Sequence, residues 1–122
     1  MARSNKREAR SPCPIAATLD ILGDRWSLIV VRDMFRGKKR FAEFLESPEA
    51  ITTSVLSDRL AGLEVNGLVE RRPYQKRPPR YEYVLTEDGR ALLPVLQEIC
   101  RWGNKTLPDT WTAPASFMRK KP

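Results

Sequence analysis

From residue 13 onward, apolar positions recur at helical spacing as far as residue 65, change to strict alternation, and then return to helical spacing. Ile15, Leu19 and Leu22 fall at i, i+4 and i+7 behind Ser11-Pro12-Cys13-Pro14. A helix therefore opens at the prolines, which suit a first helical position, and ends at Gly23. Asp24 is placed to cap a second helix with Trp26, Ile29, Val30 and Met34 on its buried face, stopping before Gly37. The cationic loop Arg36-Gly37-Lys38-Lys39-Arg40 leads into a short helix with Phe41, Phe44 and Leu45 inward, ended by Ser47-Pro48. Residues 48–51 make a tight connection. Thr52 or Thr53 then caps a fourth helix carrying Leu56, Leu60 and Leu63, and Asn66-Gly67 supplies its left-handed stop. Gly62 weakens that helix by about 1 kcal/mol relative to alanine, and the pattern offers no reason for it.

The period then changes. Leu68–Gln75 and Arg80–Thr86 read as two strands, with Tyr81, Tyr83 and Leu85 alternating with Glu82 and Val84. Lys76-Arg77-Pro78-Pro79 forms the hairpin tip, where prolines cost no ladder hydrogen bond. Thr86-Glu87-Asp88 caps a long final helix whose apolar set is Leu92, Leu93, Leu96, Ile99, Cys100 and Trp102; Pro94 kinks it or marks a restart. The expected organisation is a basic arm over residues 1–12, one folded domain over 13–107, and a tail over 108–122 without periodicity. The class is mainly α with a small β-hairpin (α+β).

Composition narrows the functional classes. The chain of 122 residues suffices for one core, and its net charge of +7 draws it toward polyanions, nucleic acid before acidic membrane. No apolar run is long enough to span a bilayer, and the basic N-terminus lacks the apolar stretch of a secretory signal. Two widely separated cysteines point to a reducing cytoplasm rather than a disulfide scaffold. The sequence contains no histidine, which removes histidine-based catalytic triads and zinc sites, and it has no phosphate-binding glycine loop. Neither a metal nor another cofactor is expected, and catalysis has little support.

The short helix, tight connection and one-sided fourth helix make a helix-turn-helix. The fourth helix turns Thr53, Ser54, Ser57, Asp58 and Ala61 away from its leucines, giving small polar side chains that can approach base edges. The bland reading is a solvated helix face. The hairpin weighs against it: RRPYQKRPPRYEY at 71–83 sets Arg71, Arg72, Lys76, Arg77 and Arg80 against one acid, a concentration of like charge suited to phosphates. The loop at Lys38, Lys39 and Arg40 is expected to grip the backbone from the other side of the recognition helix. Arg59, at the helix edge, either reaches a phosphate or pairs with an acid. Base-reading therefore falls to Thr53, Ser54, Ser57 and Asp58, and positioning to the cations.

Three segments carry a resemblance: CPIAATLDILGDRWSLIVVRDMFRGKKRFAEF, ITTSVLSDRLAGLEVNGLVERR and PPRYEYVLTEDGRALLPVLQEICRWG. In this order they resemble the HxlR-type family of bacterial transcription regulators, relatives of the MarR regulators. The resemblance implies a winged helix-turn-helix that binds operator DNA as a homodimer, more often as repressor than activator, with the first and last helices forming the dimer interface. Its interface candidates here are Ile15, Leu19, Leu92, Leu96, Ile99 and Trp102. Some members sense oxidants or electrophiles through a cysteine just before the first helix, and Cys13 stands at that place; a helix N-terminus also favours thiolate. The competing reading of Cys13 is a small packed hydrophobe. For the whole chain, the alternative is a winged-helix module binding protein or RNA.

Overall fold

A computed structural model describes residues 10–122; the expected arm therefore lies largely outside the described residues. The chain divides into two compact units, Met1–Gly89 and Arg90–Pro122. The first contains α1 (Pro14–Leu22), α2 (Ser27–Phe35), α3 (Phe41–Phe44), α4 (Thr53–Val65), β1 (Val69–Gln75) and β2 (Arg80–Leu85). A single turn of helix, α5 (Glu87–Arg90), includes the boundary, and α6 (Leu93–Thr106) and α7 (Ala115–Met118) lie in the second unit.

Local chemistry sets each boundary. Pro14 opens α1, and Cys13 stands at its N-cap without a side-chain cap bond. Asp24 caps α2 as expected: Oδ2 accepts from the N–H groups of Trp26 (2.8 Å) and Ser27 (2.9 Å), and Oδ1 from the Ser27 hydroxyl (2.6 Å). Thr52 caps α4 by accepting from the Val55 N–H at 3.3 Å. At the far end Gly67, at φ +77°, lets Leu68 N–H donate to Leu63 O (2.9 Å) and Gly67 N–H to Glu64 O (3.0 Å), which satisfies the last carbonyls.

The core of the first unit gathers Val30, Val31 and Met34 of α2, Phe44 of α3, Leu56, Leu60 and Leu63 of α4, and Val69 of β1. Trp26 and Ile29, expected inward on α2, are half-buried; Val31 and Asp33 take the buried positions instead. The two strands pair antiparallel, Val69 with Leu85 and Arg72 with Glu82, with an irregularity between Pro73 and Gln75. The expected alternation of β2 is not seen as burial: Glu82, Tyr83, Val84 and Leu85 are all half-buried, because a two-stranded ribbon is covered only partly on either face.

The expected long final helix is interrupted. Thr86 Oγ1 caps α5 by accepting from Gly89 N–H at 3.1 Å, and the chain restarts at Leu93 with Pro94 in the first turn, the restart rather than the kink. Leu93, Leu96 and Gln97 form the buried stripe of α6, while Val95, Ile99 and Trp102 are exposed. Leu96, an interface candidate from sequence, is only 7% exposed and is thus core, a correction that follows from the helix phase. Residues 108–122 are not featureless. Gln97 Nε2 donates to the carbonyls of Phe117 (3.0 Å), Met118 (3.2 Å) and Lys120 (3.0 Å), and Asn104 bonds Thr110, Trp111 and Ala113.

Two glycines make opposite demands. A Cβ on Gly62 would meet nothing within 4 Å, whereas one on Gly89 would lie 2.1 Å from the Leu68 carbonyl oxygen. In urea unfolding, Gly62→Ala should stabilise the chain by about 1 kcal/mol through helix propensity. Gly89→Ala should destabilise it by roughly 1–3 kcal/mol, because the backbone must shift. Equal effects of the two variants would contradict this geometry.

Candidate nucleic-acid interface

α4 buries Leu56, Leu60 and Leu63 and leaves Thr53, Ser54, Ser57, Asp58 and Ala61 exposed. The small polar face read from the sequence is therefore open along the helix. What precedes it is held by a polar cluster that the sequence pattern did not reveal. Arg32 of α2 forks onto Glu49 in the connection between α3 and α4, Nη1 to Oε2 at 2.8 Å and Nη2 to Oε1 at 2.9 Å. The same guanidinium donates to Asp33 Oδ1 at 3.0 and 2.9 Å and to Ser47 Oγ at 3.0 Å, and the Ser47 hydroxyl donates to Glu49 at 2.7 Å. Asp33 and Ser47 are buried, and Ala50, at φ +61°, completes the turn, its N–H donating to Ser47 O at 2.9 Å. Charged residues at positions 32, 33 and 49 look like surface in a linear pattern; only the fold brings them together.

Arg59, left open between phosphate and acid, is committed to acids. Its Nε donates to Asp24 Oδ2 at 2.8 Å and its Nη1 to Asp58 Oδ2 at 2.5 Å. Of the two alternatives, the acid pair is the one the structure contains. Burial disfavours the charged form of Asp24, but the Ser27 hydroxyl, the Trp26 and Ser27 N–H groups and Arg59 outweigh it and hold the carboxyl below its ordinary range.

The hairpin cations fall into two sets. Near its base, Arg72 pairs with Glu70 (2.6 Å), and Arg71 lies 3.4 Å from Glu64 and over the Tyr81 ring. Lys76, Arg77 and Arg80, at and beside the tip, are exposed and make no ion pair among the described residues. The loop cations are tied to the hairpin itself. Tyr83 N–H donates to Lys39 O at 2.7 Å, and Glu82 Oε2 lies 3.1 Å from Arg40 Nε and 3.9 Å from Lys39 Nζ. The loop thus continues the hairpin's basic surface along the β2 edge. Lys38, half-buried, has no ion pair among the described residues.

The remaining candidates are placed as follows. Cys13 is exposed with a free thiol, and Arg10 nearby in the chain pairs with Asp20, Nε to Oδ1 at 2.6 Å. Ile15 (70% exposed) and Leu19 (53%) are open on α1, although Leu22 of the same stripe is buried. On α6, Trp102 is 61% and Ile99 49% exposed, Leu92 is half-buried, and Val95, which the sequence reading missed, joins Pro94, Glu98, Ile99 and Trp102 around a shallow groove of about 650 Å³. No helix among the described residues is long and apolar enough to cross a membrane.

A one-sided helix after a tight turn, followed by a cationic antiparallel hairpin, is a winged helix-turn-helix. Residues 21–110 match the model of the HxlR-like helix-turn-helix family. The chain belongs to that family. Over 91 residues, 75% of this chain and 73% of the relative, it is 43% identical to YybR of Bacillus subtilis (strain 168), an uncharacterized HTH-type transcriptional regulator. The crystal structure of PA1607 is similar at a TM-score of 0.75 and 38% identity, covering 85% of this chain and 73% of that one. The redox regulator HypR in its oxidized form is similar at a TM-score of 0.69 and 41% identity, over 77% of this chain and 97% of HypR. The HxlR-like chain described here is accordingly a transcription regulator with a DNA-binding helix-turn-helix.

The Arg32 fork gives a pH signature. Chiefly through the Arg32 hydrogen bond, Glu49 is lowered to about 2. The unfolded carboxyl titrates near 4.5, so the pair's stabilisation is complete above that pH and is lost as pH falls toward 2. At neutral pH Glu49→Gln should cost about 1 kcal/mol, allowing for screening of this partly exposed pair, with the wild-type advantage shrinking below about pH 4.5. Urea unfolding at several pH values measures it; an advantage unchanged down to pH 2 would contradict the pairing.

Proposed function

We propose that this HxlR-like regulator binds a pseudo-palindromic operator as a homodimer and represses transcription, with α4 reading bases and the wing gripping phosphates. The observation that carries this reading is the coexistence of an exposed small polar face on α4 with wing-tip cations that have no ion pair among the described residues. Thr53, Ser54, Ser57 and Asp58 specify; Lys38, Lys76, Arg77 and Arg80 position, with Lys39, Arg40, Arg71 and Arg72 partly neutralised by their acids. The exposed Ile15 and Leu19 on α1, and separately the exposed Ile99 and Trp102 and half-buried Leu92 of the second unit, are the apolar positions a second copy would cover. A two-fold dimer sets two recognition helices about 34 Å apart, one turn of DNA.

Cys13 is the proposed oxidant- or electrophile-responsive residue. Its support is an exposed free thiol at the start of α1, together with the similarity to HypR, a redox regulator.

Two outcomes are expected. First, at a footprinted operator the complex holds two chains, and a reporter behind that operator loses output. Arg77→Ala with Arg80→Ala weakens binding to all duplexes alike and lowers the salt slope by about 0.9 for each phosphate no longer neutralised, while Ser54→Ala or Ser57→Ala changes sequence preference. One chain per operator removes the dimer, a rise in reporter output reverses the sign of regulation, and shallow, sequence-blind binding favours an RNA- or protein-binding module. Second, diamide or a quinone alters operator affinity of the wild type and not of Cys13→Ser; identical responses remove the sensor role.

A further inference from the structure

Glu82 is an acid set among the cations of the wing and the loop beside it, where it would meet phosphates at unfavourable energy. It faces Arg72 across the ladder, yet Arg72 bonds Glu70 instead. Glu82 reaches the other way, over a separation of 42 residues in sequence, to Arg40 Nε at 3.1 Å. Neighbouring bonds fix the same segment. Glu43 Oε1 accepts from the N–H groups of Lys39 (2.8 Å) and Arg40 (2.9 Å), which lowers the Glu43 carboxyl's pKa, and β2 is bonded to Lys39 through Tyr83 N–H. The Arg40 guanidinium carbon lies 3.9 Å from the centroid of the Tyr74 ring on β1. One side chain is thus held by a carboxylate on one strand and an aromatic ring on the other.

What remains free is informative. Among the described residues Arg40 uses Nε alone for side-chain hydrogen bonding, and its side chain is 49% exposed. Both Nη groups are open, so the end of the fork that matches phosphate geometry is unoccupied while the stem is immobilised. Resting on the DNA-binding reading above, we propose that Glu82 is a positioning residue: it pins Arg40, against Tyr74, into a preformed phosphate seat beside the wing. Holding a long side chain in place before binding removes an ordering cost worth roughly 2- to 10-fold in affinity. Plain charge counting gives the opposite sign, since deleting an acid from a phosphate-facing surface strengthens attraction.

The test is a double-mutant cycle on the full chain, read by fluorescence anisotropy with a mixed-sequence DNA duplex at fixed low salt, thermal melts confirming that each variant folds. Glu82→Ala should weaken binding by about 3- to 10-fold, Arg40→Ala by at least as much, and the pair by no more than Arg40→Ala alone. Glu82→Gln, which keeps an oxygen acceptor for Nε, should recover most of the loss. Tighter binding by Glu82→Ala, an undiminished loss in the Arg40→Ala background, or no recovery by Glu82→Gln overturns the role. The Arg77→Ala, Arg80→Ala variant runs alongside. If it too binds like wild type, the wing reading itself has failed; if it weakens while Glu82→Ala does not, only the positioning role falls.

Discussion

The guanidinium of Arg32 is the contact on which the arrangement of the first unit turns. It joins α2 to the connection between α3 and α4 through Glu49 and Ser47, and Asp33 beside it supplies a second carboxylate. A buried acid such as Asp33 is costly without a partner, so the cluster holds only as a complete set. With it in place, a non-glycine residue in left-handed conformation, Ala50, is tolerated in the turn, and α4 starts where Thr52 can cap it. The exposed face of α4 follows from that start, since helix phase decides that Leu56, Leu60 and Leu63 turn inward together.

Charge on this surface is more structured than a count of +7 conveys. Arg59, Arg71, Arg72, Arg40 and Lys39 each have a carboxylate within 4 Å, while Lys76, Arg77 and Arg80 have none among the described residues. The first set stiffens the surface and the second carries its unbalanced charge. Electrostatic attraction to a polyanion therefore concentrates at the wing tip, and shape is fixed below it.

The element order, the caps at Asp24, Thr52 and Gly67, and the polar face of α4 were legible because each depends on neighbours within a turn or two of the chain. Leu96 was misassigned for a local reason as well: it stands three positions after Leu93 on the buried side of α6, and the apolar spacing alone did not separate that side from the open one. The partners of Arg32, Arg40 and Arg59 were illegible for a different reason. Each has an acid partner far along the chain, 17, 42 and 35 residues away, and periodicity carries no information about which distant charges the fold will bring together. The docked segment after α6 escaped notice because polar amides on Gln97 and Asn104, rather than apolar spacing, hold it.

The close approach at Gly89 bears on how this architecture varies. One oxygen, that of Leu68, accepts the Thr86 N–H at 3.0 Å and lies where a Gly89 side chain would have to go, while Thr86 Oγ1 holds Gly67 O at 2.6 Å. Both ends of the hairpin are thereby stitched to each other and to the end of α4. Residues 76–79 lie beyond this stitch, so insertions or deletions there can change the reach of the wing while the core keeps its packing.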